Sequence, residues 1–123
     1  EIDRLKLEAL WVQQALAAVD ESLLRELLAS PEPRVRASAV RVLCYQTDHI
    51  GDSLALLQAA VNDEHPRVRV EAVRALSFFR GDQASAARDI AYESLAYDQD
   101  DYLEYALKET LATLDARVEP AAE

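Results

Sequence analysis

Glycine and proline are scarce in this chain: two and four among 123 residues. So few breakers, set among many Ala and Leu, leave little room for the tight turns of a β fold and suit an all-helical protein. Cysteine is scarcer still. Cys44 stands alone, which excludes an internal disulfide and a Cys-x-x-Cys pair. It falls at an apolar helical position, so we expect it to be buried by packing. No apolar run approaches the ~18–20 residues that a membrane span needs, so we expect no membrane insertion of this segment. Basic residues are outnumbered, 13 Lys and Arg against 23 Asp and Glu, for a net charge of −10. That balance argues against nucleic acid as a partner, because binding it needs a cationic surface that releases counterions.

Chemistry-bearing residues are thin as well. The two histidines, His49 and His65, fall in turns with no second His or Cys at ligand spacing. There is no Gly-rich phosphate loop, no haem motif and no Ser/His/Asp arrangement. We therefore expect no catalytic, cofactor-binding or metal-binding residues here. No signal peptide is visible and the first residue is Glu, so we read the chain as a piece of something longer.

What is present is half apolar, enough for the core of a single domain spanning residues 1–123. The charge is uneven. Residues 31–80 carry six acids and seven bases, whereas residues 89–123 carry ten acids and two bases. The acid is a C-terminal feature, read as a solvated face.

The strongest signal is a repeat. "EPRVRASAVRVL" (Glu32–Leu43) and "HPRVRVEAVRAL" (His65–Leu76) superimpose at a shift of 33 residues. That period belongs to helical solenoids. Within each copy the apolar residues follow helical spacing: Val35, Ala39, Val42, Leu43, then Val68, Ala72, Ala75, Leu76. Pro33 and Pro66 fit the first helical turn, and Glu32 and His65 mark the boundary before it. Between the copies lies a second amphipathic stretch, "DSLALLQAAV" (Asp52–Val61). Each unit is then two helices and a turn.

"RLKLEAL" (Arg4–Leu10) matches "RVRVEAV" (Arg67–Val73) at a shift of 63. "DQDDYLEYALKETL" (Asp98–Leu111) matches "DEHPRVRVEAVRAL" (Asp63–Leu76) at 35. About seven helices follow: 3–18, 21–29, 33–46, 52–62, 66–79, 83–96 and 100–115. Asp20, Asp82 and Asp98 are expected N-caps and Gly81 a helix stop. The shift of 63 predicts that the first helix buries Leu5, Ala9 and Val12. It leaves Ile2, Leu10 and Trp11 toward a preceding repeat. Tyr92, Tyr97 and Tyr105 are expected to be half-buried.

Two-helix units that open the second helix with Pro-Arg-Val-Arg-x-x-Ala-Val-Arg-x-Leu resemble HEAT repeats, which implies an all-α solenoid. In that family a second-helix Arg and an acid six residues earlier form a polar ladder. The resemblance implies such a role for Asp63 and Arg69, with Arg36 sharing Asp63. Because Arg69 lies inside an apolar arc, we expect it buried and paired with the Asp63 carboxylate. "DRLKLEALWVQQAL", "RVLCYQTDHI" and "DYLEYALKETL" are similar to one group in particular. These are HEAT segments of large envelope proteins from planctomycete- and verrucomicrobial-type bacteria. There a dehydrogenase β-propeller precedes the segment and a c-type haem domain follows it. This resemblance implies a periplasmic connector whose partners are protein or neighbouring domains of the same chain.

One face of the second helices remains. It reads Arg4, Glu8, Trp11; Arg34, Ser38, Arg41, Tyr45; Arg67, Glu71, Arg74, Phe78; Tyr102, Ala106, Glu109. In such solenoids this face is concave, and Arg, Trp and Tyr are enriched at binding hot spots. We take Arg34, Arg41, Tyr45, Arg67, Glu71, Arg74 and Trp11 as a candidate interaction surface. Two readings of it stand. Either it binds a protein partner, or its arginines merely solvate the face while Trp11 packs toward a preceding repeat. The competing functional class is a HEAT-like enzyme of the DNA-glycosylase type, which would use the same Arg and aromatic row against DNA.

Overall fold

Pro33 and Pro66 each open a helix, at the position where a missing N–H leaves no intrahelical bond unmade. The residues before them are extended: Glu32 at φ −90°, ψ 115° and His65 at φ −100°, ψ 129°. Both also cap. Glu32 Oε1 accepts from the Arg34 N–H and His65 Nδ1 from the Arg67 N–H. The computed structural model describes residues 2–15 and 20–118. Its helices are α1 (Ile2–Ala15), α2 (Glu21–Leu28), α3 (Pro33–Cys44), α4 (Ser53–Val61), α5 (Pro66–Leu76), α6 (Gln83–Tyr92) and α7 (Asp101–Arg117). No strand occurs among the described residues.

α1 packs on α3, α3 on α5 and α5 on α7, which makes one layer. α2, α4 and α6 each pack on the second helix that follows them, and α4 also meets α6. The result is an all-α solenoid. Leu24, Leu27, Leu43, Leu57, Val61, Leu76, Leu103 and Leu114 are fully buried along its length. A lone helix pair cannot cover such a stripe, so each repeat is stable only against its neighbours.

Several boundaries differ from expectation, each for a local reason. Residues 16–18 of the first expected helix lie outside the described residues. α5 stops at Leu76, three residues early. Ser77 Oγ there donates back to the Arg74 carbonyl and Phe79 turns into the core. Gly81 does not stop α5. Its φ of +60° makes the turn into α6, and its carbonyl receives the Ala84 N–H. The expected helix 83–96 splits after Tyr92 into a 3₁₀ turn, Glu93–Ala96, where the buried Ser94 hydroxyl bonds the Ala91 carbonyl. Asp20 caps α2 as expected. Asp82 makes no side-chain cap bond, and Asp100, not Asp98, caps α7 through the Leu103 N–H. Tyr92 and Tyr105 are exposed, and only Tyr97 is half-buried.

The first helix carries the largest correction. Leu5 and Val12 are 65% and 59% exposed and Ala9 is exposed too, while Leu10 is fully buried. The structural register of α1 on α3 is a shift of 33, which sets α1 against α5 at 66 and not at the 63 that the wording suggests. Asp3 meets Ser30 (2.6 Å) just as Arg36 meets Asp63, and 33 residues separate the two pairs. Leu7 and Leu10 then take the places of Val40 and Leu43. Ile2, as expected, stays exposed at 71%.

The ladder takes an unexpected form. Arg69 is buried, 7% exposed, but its partner is not the Asp63 carboxylate. Arg69 Nη1 donates to the Asp63 backbone carbonyl at 2.8 Å. Arg36 does the same to the Ser30 carbonyl at 2.9 Å. The spacing of six is therefore a guanidinium-to-carbonyl tie that clamps the start of each second helix to the end of the first. The carboxylate of Asp63 reaches the other way. It takes both Nε and Nη2 of Arg36 at 2.9 Å, a two-pronged pair whose side chains are only 11% and 14% exposed. Among the described residues no acid pairs with Arg69. The Tyr97 ring lies there instead, 4.6 Å below the guanidinium, and its hydroxyl donates to Asn62 Oδ1 at 2.8 Å. The rungs are thus Asp3–Ser30, Arg36–Asp63 and Arg69–Tyr97, one geometry written in three chemistries.

Burial pushes the Asp63 carboxyl up, but Arg36 and the His65 N–H outweigh it and hold it below the usual carboxylate range. A depressed folded-state value contributes stability that is present above about pH 4 and is lost as pH falls through it. Asp63→Asn should cost about 3 kcal/mol, because it strands Arg36 in a mostly buried site. Its melting temperature should fall by roughly 10 °C at pH 7. Between pH 6 and pH 3 it should change less than that of the wild type. Calorimetry at both ends of that range checks both signs.

The third rung is tested by a double-mutant cycle with Arg69→Met and Tyr97→Leu. The expected coupling is about 1 kcal/mol. A coupling of zero in urea melts would show that the ring only fills space.

Candidate functional site

The second helices present their remaining face to solvent, and there the structure brings together most of the expected residues. An open groove of about 720 Å³ runs along α3 and α5 to the start of α7. Pro33, Pro66 and Val70 supply apolar surface, Arg34, Arg67 and Arg74 the charge, and Tyr102 and Asp100 the end on α7. A smaller recess of about 160 Å³ continues it between the C-terminal halves of α3 and α5, bounded by Tyr45, Phe78 and Cys44. Tyr45 is 58% and Phe78 54% exposed.

The charges in this face are not equivalent. Arg41 Nη2 donates to Glu71 Oε1 at 2.8 Å, tying α3 to α5 across the middle. Glu71 is 11% exposed, so this expected surface pair is largely spent within the fold. Glu32 and Asp100 each give one carboxylate oxygen to a helix cap. Arg34, Arg67 and Arg74 are exposed and have no side-chain hydrogen bond or ion pair among the described residues. A protein carrying ten more negative than positive charges thus keeps three unengaged cations on one face.

The register of 33 also re-sorts the row. Glu8, Arg41 and Arg74 are equivalent positions, as are Val12, Tyr45 and Phe78. Trp11 is equivalent to Cys44. It is half-buried against the core and does not belong to the exposed row. Val12, which the shift of 63 places in the core, continues the apolar edge instead. The repeat period of 33, applied to α1, would have found it.

The site has no assembled nucleophile or metal cluster among the described residues. No described helix is long and apolar enough to cross a membrane. Cys44 is half-buried, and burial, with the Glu71 charge, pushes its thiol up to about 11 against the pull of Arg41.

The model of a family described as HEAT repeats matches residues 21–112. The chain belongs to the HEAT-repeat family. HEAT repeats serve as protein-interaction scaffolds, and the family is in general non-catalytic. No curated protein and no solved structure matches the chain. The match spans α2 to α7, so the helices that carry Arg34, Arg67 and Arg74 are HEAT second helices.

The state of Cys44 has a direct readout. At pH 8 iodoacetamide should label the native thiol roughly a hundredfold more slowly than the urea-unfolded chain, because so little of it is thiolate. The native rate should keep rising with pH beyond 9.

Proposed function

We propose that this domain is a non-catalytic scaffold that holds protein modules against the exposed face of its second helices. The observation that carries the reading is the alignment of Arg34, Arg67 and Arg74, exposed and unengaged, over an open groove with apolar surface. Unpaired arginine beside exposed aromatics is the composition of interface anchors. The resemblance of the sequence to envelope-protein HEAT segments supports a finer version. In it the modules are a dehydrogenase propeller and a c-type haem domain of one periplasmic chain, with this domain as their connector. Within the 123 residues themselves, no group is assigned to oxidation or haem binding.

Charge opposes the glycosylase alternative. The acidic last repeat borders the groove, with Asp98, Asp100 and Asp101 all exposed, and the summed field repels a polyanion.

Titration calorimetry of the isolated domain against purified propeller and haem modules tests the proposal. The triple variant Arg34→Glu/Arg67→Glu/Arg74→Glu should weaken binding by roughly tenfold or more, since each charge meets its complement at the interface. Unchanged affinity would remove this face from the interaction, and no binding by either module would sink the connector version. Duplex DNA in the same buffer at about 150 mM salt should give no saturable signal.

A further inference from the structure

The charges of the groove have a spacing and an order, and together these describe the ligand. Arg34 and Arg67 hold the same position in successive repeats, the second residue of α3 and of α5. The two helices pack side by side, so the two positions lie about 10 Å apart. The next step of the same size reaches α7. Its corresponding residue is Tyr102, 78% exposed, flanked by the exposed Asp100 and Asp101. Across three repeats the groove therefore reads cation, cation, then an aromatic ring among carboxylates.

A polyproline-II segment rises about 3.1 Å per residue and returns to the same face every third residue, so it advances about 9 Å between equivalent side chains. That step matches the repeat spacing. A helix would need two turns to cover the same distance, and the Pro33, Pro66 and Val70 surface between the arginines suits the slim cross-section of an extended chain. We propose that the groove binds an extended, Pro-rich protein segment of the pattern acid-x-x-acid-x-x-base. Its two carboxylates meet Arg34 and Arg67, and its cation lies over the Tyr102 ring between Asp100 and Asp101. This inference rests on the second-helix face being the interaction surface, and adds what lies in it. Nucleic acid fits the first two positions only, since it has no cation to offer the third.

The probe is a fluorescein-labelled peptide, Glu-Pro-Ala-Glu-Pro-Ala-Lys, titrated with the 123-residue chain by anisotropy at about 50 mM salt, where exposed ion pairs are least screened. Saturable binding is expected. The peptide with both Glu changed to Gln should bind roughly fivefold more weakly, and Arg34→Glu/Arg67→Glu should abolish the signal. Tyr102→Ala should weaken the parent peptide about threefold and leave a Lys-to-Ala peptide unaffected. All three residues are exposed, so the variants should keep the wild-type melting curve, which circular dichroism verifies. A respaced peptide, Glu-Pro-Glu-Ala-Pro-Ala-Lys, that binds as well as the parent would overturn the proposal. So would an oligothymidylate that binds more tightly and is lost with the same arginines. If the modules bind the domain through these arginines while the parent peptide does not, the extended-segment inference fails and the scaffold reading stands.

Discussion

The fold depends on a guanidinium that reaches back six residues to a main-chain carbonyl. Arg36 holds the Ser30 carbonyl and Arg69 the Asp63 carbonyl. Both carbonyls lie in the connection between the two helices of a repeat, where the last turn of the first helix leaves acceptors unmade. A tie there fixes the angle at which the second helix departs, and Pro33 and Pro66 fix where it starts. Once departure angle and starting point recur every 33 residues, the second helices must line up. The groove follows from that alignment, because Arg34 and Arg67 stand two residues before the tying arginines. The residue that stabilises each repeat and the residue left open on the groove are thus neighbours on one helix, pointing to opposite sides of it.

The tie also explains why the rungs between repeats can vary. The carbonyl acceptor is present whatever the side chain, so the clamp within a repeat survives substitution at positions 30 and 63. The link to the adjacent repeat is a side-chain matter. It is a neutral hydroxyl on a carboxylate at Ser30–Asp3, a buried ion pair at Arg36–Asp63 and a ring under a cation at Arg69–Tyr97. A buried ion pair gains little over an apolar substitute but is severe when broken. Of the three, the Arg36–Asp63 rung is the one that fixes register most strictly. It lies at the centre of the described solenoid, between the two repeats whose wording agrees best.

Repetition made the architecture legible. Seven helices, their pairing and the role of both prolines could be read from one recurrent phrase, since a fold built of copies shows its period in the text. Where copies diverge, the text misleads. Arg4–Leu10 spells most like Arg67–Val73, and that likeness sets α1 four-fifths of a turn away from its true register. What decides the register is that Leu7 and Leu10 fill the pocket over α2 and α3, and a pocket does not respond to spelling. The same limit applied to the ladder. A spacing of six pointed to Arg69 and Asp63 correctly, but a sequence shows side chains, and the acceptor was a carbonyl.

The face of the second helices was legible as a set of residues and not as a set of free charges. Seven positions were marked, and packing divides them. Trp11 goes to the core fringe, and Arg41 and Glu71 neutralise one another. Arg34, Arg67, Arg74 and Tyr45 stay open. Only three-dimensional neighbours could decide this, because Arg41 and Glu71 are 30 residues apart and belong to different helices. The distinction bears on specificity. An arginine already paired must give up a good bond before it can bind, whereas an unengaged one gives up only water. On an acidic protein the cations left without partners contribute most to local potential, and three of them, Arg34, Arg67 and Arg74, share a single groove. That concentration, rather than the number of arginines, is what the proposed recognition by this face rests on.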